Sequence, residues 1–271
     1  MIDLKKLSEH SYFELIVSVF AWISGYFLCT ILFPYVPFIG KYKSFATFLS
    51  FGILLLITIP VLSYFINLRT KWYYLLIIFP TAFESVIFLN LLLGDQTITN
   101  LFSDILIVIY SYCLAKLFGK QIKKTSILLV ILIIISIADL ISVFMGPARI
   151  IYNSSWSKFL MLNFPVIGTS DTVWMLGFGD IFIFILLCGY CVKTRNMNYS
   201  KNLKALGATL FIPAIISSML NTIIPALPFM CLVFYLINDE IRNVKLNSSE
   251  IKFLIFGLSI NIILAVTFSF I

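Results

Sequence analysis

Histidine is almost absent from this chain: the only copy, His10, precedes the first long apolar run. A serine–histidine pair within the apolar segments is therefore excluded as a catalytic device. The sequence contains no His-Glu-x-x-His segment and no glycine-rich phosphate loop. These absences exclude the common zinc hydrolase and P-loop designs. Chemistry within the apolar segments must therefore use other side chains.

Charged residues are also scarce, at 11% of the 271 residues, whereas hydrophobic residues make up 61%. A water-soluble domain of this length does not have such a composition. We therefore predict an all-α polytopic membrane protein. Apolar windows of about 20 residues predict about nine transmembrane helices. These spans are 12–33, 45–66, 73–93, 101–119, 127–145, 173–192, 203–221, 223–237 and 252–271.

Lysine and arginine are distributed unevenly between the two predicted sides of the membrane. Of the 19 basic residues, only Lys41, Lys43, Arg149 and Lys158 lie on the side opposite the N-terminus. Because cytoplasmic loops carry the excess of basic residues, the N-terminus is expected in the cytoplasm and the C-terminus outside the cell membrane. The net charge of +7 is then a topology signal that faces anionic lipid. It does not indicate a nucleic-acid partner.

Four carboxylates lie within or beside the predicted spans: Glu84, Asp104, Asp139 and Asp180. A carboxylate at membrane depth is costly, so each is a candidate for function by default. Glu84 lies mid-span, where it either forms hydrogen bonds within the bundle or binds a substrate or coupling ion. Asp104 lies close to the end of a span and is expected near the membrane interface.

Asp139 and Asp180 form the most coherent pair. They lie toward the outer halves of two consecutive predicted spans, so antiparallel packing would bring them to similar depth. Two carboxylates a few ångströms apart cannot both ionise, so one would hold a proton while the other stays anionic. Such a dyad can activate a water and polarise a scissile carbonyl, which is the chemistry of aspartic peptide hydrolysis. The alternative is that each aspartate satisfies a donor within the bundle.

Glycine and proline residues flank these carboxylates. Gly177 and Gly179 lack side chains, so another backbone can approach closely. Pro225 and Pro228 remove two amide donors and interrupt regular helix near the start of the eighth span. Irregular backbone at that point favours a cavity that accepts an extended peptide. Glycine at helix contacts and proline at helix starts are also common in membrane bundles.

Three segments together resemble a known family. Residues 176–180 read Leu-Gly-Phe-Gly-Asp, residues 225–228 read Pro-Ala-Leu-Pro, and residues 139–144 read Asp-Leu-Ile-Ser-Val-Phe. The first is similar to the Gly-x-Gly-Asp motif of the presenilin and signal peptide peptidase family, and the second to its Pro-Ala-Leu motif. The third resembles the segment that follows the family's first catalytic aspartate. They occur in family order, within about residues 130–237.

The resemblance implies an intramembrane aspartyl protease with a presenilin-like bundle and without a metal or organic cofactor. It implies two catalytic residues, Asp139 and Asp180. Substrate-binding positions would be Gly177, Phe178, Gly179, Pro225, Ala226 and Leu227. The chain would divide into N-terminal helices (1–126), a catalytic core (127–237) and a C-terminal loop with an additional helix (238–271).

The predicted orientation in the membrane resembles that of signal peptide peptidase more than that of presenilin. The expected substrates are therefore transmembrane helices with a cytoplasmic N-terminus, within the lipid bilayer. Two features depart from the family. Ala138 stands where the family usually has tyrosine, and an additional apolar run, 252–271, follows the Pro-Ala-Leu span.

Three other functions stay open. A prepilin-type peptidase also uses a Gly-x-Gly-Asp aspartate, but it lacks a Pro-Ala-Leu motif. An ion- or proton-coupled transporter or channel would use Asp139, Asp180 and Glu84 as a relay. A catalytically inactive relative of the proteases would retain only substrate binding, and Ala138 is the residue that suggests it.

Overall fold

The structure is a computed structural model of the chain. It describes residues 19–20, 23–25, 50, 52–53, 58–63, 66, 72–93, 97–146, 157–165, 172–194, 197–220 and 224–269. Most of the first two predicted spans, 12–33 and 45–66, lies outside the described residues.

The described part of the chain is mostly helical. In chain order its elements are α1 (Trp72–Leu93), α2 (Thr97–Gln121), α3 (Thr125–Met145), α4 (Ser157–Leu160), β1 (Met161–Pro165), β2 (Thr172–Gly177), α5 (Phe178–Lys193), α6 (Tyr199–Leu220), α7 (Leu227–Ile237), α8 (Asp239–Arg242) and α9 (Ser248–Ser269).

Three of these helices are long and apolar enough to cross a membrane: α2 from Thr99, α3, and α9 as far as Thr267. This agrees with a membrane protein. Helices also cover most of the predicted spans 73–93, 203–221 and 223–237, although α7 has only 11 residues. A helix of that length spans about 17 Å, which is well short of the apolar thickness of a bilayer.

The prediction of helix from residue 173 is wrong at its start, since residues Thr172–Gly177 form a strand. That strand pairs antiparallel with β1, with Met161 opposite Gly177 and Pro165 opposite Thr172. Valine, threonine and tryptophan at 172–174 are residues that suit a pleated strand. The sixth span therefore shortens to α5, whose 16 residues reach about 24 Å, and the architecture is not purely helical.

The chain divides into two compact units. The first comprises the described residues of Met1–Cys113 and Lys158–Phe178, and the second those of Leu114–Ser157 and Gly179–Ile271. In the first unit, Tyr110 of α2 is 1% exposed. Its ring meets Phe79 and Phe83 of α1 edge-on, with centroids 6.3 and 5.7 Å away. This aromatic contact joins α1 to α2.

In the second unit, α5 is the central helix. Nine of its residues are buried, from Ile181 to Cys191, as expected for a helix that is apolar all round. Lys193 near its C-terminal end donates from Nζ to the carbonyl oxygen of Ile122, at 2.8 Å, just before α3 begins. Thr125 and Tyr190 share a hydrogen bond of 3.0 Å between their hydroxyls. The end of α5 therefore lies beside the start of α3.

The start of α6 lies beside the end of α7. Asn202 and Asn238 exchange amide hydrogen bonds of 3.0 and 2.8 Å, and both side chains are buried. Lys201 donates from Nζ to the carbonyl oxygen of Ile237, at 3.5 Å. Helices α6 and α7 are therefore antiparallel neighbours.

Helix α9 lies along α3. Ser126 near the start of α3 donates to Glu250 at 2.6 Å, and Asn261 donates to the carbonyl oxygen of Ile134 at 3.1 Å. Both contacts advance in the same direction along the two helices, so α3 and α9 run parallel. The side of α9 away from α3 exposes large apolar residues such as Phe253, Phe256 and Ile263, as expected for a surface that faces lipid.

Candidate active site around Asp139

The structure joins the Pro-Ala-Leu segment to Asp139. The amide N–H of Leu227 donates to Oδ2 of Asp139, at 3.1 Å. Leu227 is the first residue of α7, and Asp139 lies in the second half of α3. The Pro-Ala-Leu segment and the segment that contains Asp139, both predicted as parts of the active site, are therefore in direct contact within one compact unit.

The start of α7 explains why a carboxylate lies there. The first amides of a helix have no partner within it. Ala226, at the N-cap, makes no side-chain capping bond, and Pro228 has no N–H to donate. Asp139 supplies from α3 the acceptor that a serine or aspartate N-cap would normally supply. A negative charge is also favoured at this end of a helix.

Two further side chains border this contact. Cys231, one turn after Leu227, is 6% exposed and lies within hydrogen-bonding reach of Ser136. The hydroxyl of Ser136 donates to the carbonyl oxygen of Leu132, at 2.7 Å. Leu227 contacts Asp139, and Cys231, one turn later on α7, contacts Ser136, about one turn earlier on α3. Helices α7 and α3 are therefore antiparallel. Neither Cys231 nor Ser136 was predicted as a site residue.

Pro225 and Ala226 complete the segment. Pro225 is buried, and Ala226 is partly exposed with backbone angles of φ −88° and ψ −32°. Both precede the first turn of α7 and therefore lie beside the Leu227–Asp139 contact along the chain.

Asp180 lies in the first turn of α5 and is partly exposed, whereas the next residue, Ile181, is fully buried. Within the described residues, nothing lies within 4 Å of the position that a Cβ of Gly179 would take. No described side chain therefore covers the backbone at Gly179, and the close approach of another backbone at this position stays a prediction.

Gly177 and Phe178 belong to the first unit, and their role in substrate binding stays a prediction. Gly177 is the last residue of β2 and pairs with Met161, so it does not share a helix face with Gly179. The ring of Phe178 lies 5.8 Å from that of Tyr110, and its carbonyl oxygen accepts from the hydroxyl of Ser111 at 3.4 Å. The Phe178 ring is thus part of the aromatic cluster of the first unit. Neither the strand pairing of Gly177 nor the packing of Phe178 could be predicted from the sequence, because both residues lie in a continuous apolar run that indicates helix.

Along their own helices, Asp139 and Asp180 lie at distances from the Thr125–Tyr190 hydrogen bond that differ by about 6 Å. Asp139 lies 14 residues after Thr125, or about 21 Å along α3. Asp180 lies ten residues before Tyr190, or about 15 Å along α5 from the same level. These distances run along the helices and do not give the distance between the two carboxylates. The pairing of Asp139 with Asp180 therefore stays a prediction.

The other two carboxylates occupy contrasting positions. Asp104 is only 2% exposed on α2, next to Ser103, and Asn100 is also buried one turn earlier. Glu84 lies on α1 with an exposed side chain. Sequence hydropathy ranks Glu84 as the deeper of the two, because it depends on position along a run and not on which face of the helix is covered.

Within the described residues, no three histidine, cysteine, aspartate or glutamate side chains group together as a metal site would require. Comparisons with protein-family models, with curated proteins and with solved structures found no match to this chain. The assignment of a function therefore depends on the residues themselves.

Proposed function

We propose that the chain is an intramembrane aspartyl protease that hydrolyses peptide bonds within transmembrane helices, with Asp139 and Asp180 as its catalytic pair. The observation that carries the proposal is the hydrogen bond between the Leu227 amide and Asp139. By the resemblance, the Pro-Ala-Leu segment corresponds to the turn beside the active site of this family that helps position substrate. The fold joins the corresponding two segments across 88 residues of sequence.

The geometry is compatible with a shared depth for the two carboxylates. Asp139 precedes Met145, the last residue of α3, by six residues, or about 9 Å. Helix α7 begins beside Asp139, and the residue before it, Ala226, is not helical. Helix α5 likewise begins directly after a strand residue, Gly177. Non-helical backbone at membrane depth is tolerated where it lines a cavity or is buried in protein. Such a place suits a substrate that must unwind before cleavage.

The mechanism divides the work between the two carboxylates. The ionised member removes a proton from a water held between them, and the protonated member donates a hydrogen bond to the scissile carbonyl. The Leu227 amide donates to Oδ2 of Asp139 and so orients this carboxylate for its part in the reaction. Substrate backbone would approach along Gly179.

The basic residues of the second unit support an orientation for the proposed nine-span protein. Lys193 lies beside the residues that precede α3, and Lys201 lies beside the end of α7, which α8 with Arg242 follows. If this basic end faces the cytoplasm, both aspartates lie toward the outer half of the membrane. The preferred substrates would then be helices with a cytoplasmic N-terminus.

The test is cleavage of a labelled type II transmembrane peptide by the purified protein in liposomes. Asp139→Asn and Asp180→Asn should each abolish cleavage, and so should an aspartyl transition-state inhibitor. Asp239→Asn is the matched control, since Asp239 is an exposed aspartate paired with Arg242. Absence of cleavage by folded protein between pH 5 and 8 across several such peptides, and also after Ala138→Tyr, would overturn the proposal.

The burial of Asp104 favours a second candidate function, an ion- or proton-coupled transporter. A carboxylate that is 2% exposed beside Ser103 and Asn100 offers the oxygen ligands that a small cation or a proton relay uses. Sodium or proton flux into liposomes that Asp104→Asn abolishes would support this function. Flux that is equal in the wild type and the variant would remove it.

A further inference from the structure

Helix α9 has an internal seam toward α3, although most of its surface is exposed. Glu250, Asn261 and Ala265 are the buried residues of its described part. Asn261 is 7% exposed. An amide side chain is costly in such an apolar helix unless it is hydrogen-bonded. The seam therefore indicates that α9 has a role beyond filling the membrane.

The lower end of this seam fixes the start of α9. Asn247 Oδ1 accepts the amide of Glu250 at 2.9 Å, and Glu250 Oε2 accepts the amide of Asn247 at 2.9 Å. This reciprocal pair is a capping box. The other oxygen of Glu250 accepts from Ser126 of α3, at 2.6 Å. One glutamate thus starts α9 and attaches it to α3.

In the middle of the seam, the Ile134 side chain of α3 packs against the backbone of Gly257. A Cβ added at Gly257 would fall closer than 3.0 Å to the side chain of Ile134, so only glycine fits without a shift. One turn later, Nδ2 of Asn261 donates to the carbonyl oxygen of Ile134, at 3.1 Å. In a regular helix that carbonyl also accepts the amide of Ala138. Asn261 therefore attaches to the peptide group that anchors the residue before Asp139.

We infer that Asn261 is a positioning residue for Asp139, an inference that rests on the proposed function. The contacts at Ser126 and Ile134 are separated by eight residues, or about 12 Å, along α3. Two attachments at that spacing fix both the height and the rotation of α3 against α9. With α3 held from one side, the carboxylate of Asp139 meets Leu227 of α7 on another. Helix α9 thereby sets where the Asp139 carboxylate stands at the start of α7.

The experiment compares Asn261→Leu, which removes the donor at similar volume, with Ser259→Ala. Ser259 is exposed, and its hydroxyl bonds only within its own helix, to Ile255 at 2.9 Å. The first readout needs no enzymatic activity. It is the rate at which N-ethylmaleimide modifies Cys231, which borders the contact of α3 with α7, in protein whose other four cysteines are alanine. Asn261→Leu should raise this rate severalfold, whereas Ser259→Ala should leave it unchanged.

The second readout is cleavage. Asn261→Leu should lower kcat at least tenfold, leave KM unchanged and shift the pH profile of kcat. Ser126→Ala, a milder change at the lower contact, should shift both readouts in the same direction by less. A lower melting temperature with an unchanged Cys231 rate and an unchanged pH profile would make Asn261 merely structural and overturn the inference. If the wild type cleaves nothing, the proposed function fails, while the Cys231 rate still decides whether α9 positions α3.

Discussion

Leu227 and Asp139 are 88 residues apart in the chain, yet the amide of the first donates to the carboxylate of the second at 3.1 Å. The contact has two separable properties. As a hydrogen bond it supplies a partner for the first amide of α7, which Ala226 does not cap. As a carboxylate, Asp139 is also a member of the proposed catalytic pair. Different substitutions of Asp139 remove these two properties separately.

Asp139→Asn retains an oxygen that can accept the Leu227 amide, whereas Asp139→Leu removes every acceptor. The leucine variant should therefore unfold more easily, by about 1–3 kcal/mol for a buried donor left unsatisfied. The asparagine variant should melt close to the wild type while losing cleavage. Thermal denaturation in one detergent, with cleavage measured on the same samples, makes the comparison. Equal melting of the leucine variant and the wild type would show that the hydrogen bond contributes no stability.

Gly179 and Gly189 provide a matched pair on α5. A Cβ at either position meets no described atom within 4 Å, so alanine fits at both. Alanine also favours helix over glycine by about 1 kcal/mol. Both variants should therefore be at least as stable as the wild type. Only Gly179→Ala, next to Asp180, should lose cleavage, because its methyl group occupies the approach proposed for substrate.

Cleavage assays of the two glycine variants at equal folded concentration test this expectation. Retention of full activity by Gly179→Ala would show that substrate does not approach along this backbone. Loss of activity in Gly189→Ala as well would indicate a general effect of stiffening α5.

The helices that the sequence predicts well are those whose whole length is apolar. The run 127–145 becomes α3 with its bounds shifted by no more than two residues, because no alternative partner competes for its backbone. The run that begins at 173 fails for the opposite reason. Its first residues pair with β1, seven to sixteen residues earlier in the chain, and such a strand partner leaves no trace in local hydropathy.

The site is predictable to a similar degree. Asp139, Asp180 and the Pro-Ala-Leu segment are recognisable because costly or helix-breaking residues stand out in an apolar chain. Asn261 and Glu250 could not be predicted as important from the sequence, because their roles depend on contacts with α3 that only the fold creates. Asp104 shows the same limit, since the buried face of α2 depends on tertiary packing and not on the distance to a span end.

Asn202 and Asn238 should show strong energetic coupling. Each donates to the other, at 3.0 and 2.8 Å, and both side chains are buried. Replacing one by leucine leaves the remaining amide buried without its partner, at a cost of about 1–3 kcal/mol. Replacing both should cost less than the sum of the two single changes. Denaturation of the four proteins gives the coupling energy, with Asn243→Leu as an exposed control.

Additive costs in that cycle would contradict a direct amide pair. The result matters for the site, because the pair holds the end of α7 whose other end carries Leu227. Loss of the amide pair at the C-terminal end of α7 should therefore also weaken the hydrogen bond between Leu227 and Asp139.

The basic end of the second unit predicts which positions share a side of the membrane. Ser200 and Asn243 are exposed near the start of α6 and the end of α8, and Met145 ends α3 at the opposite end of that helix. Single cysteines at these three positions, in a background with the native cysteines changed to alanine, can be labelled in whole cells with an impermeant maleimide. Met145→Cys should react directly, whereas Ser200→Cys and Asn243→Cys should react only after permeabilisation. The reverse pattern would place the aspartates toward the cytoplasm and predict substrates of the opposite orientation. Ser200 and Asn243 share a side of the membrane only if the two helices between them, α6 and α7, both cross it. Labelling of Ser200→Cys and Asn243→Cys from different sides would contradict that topology.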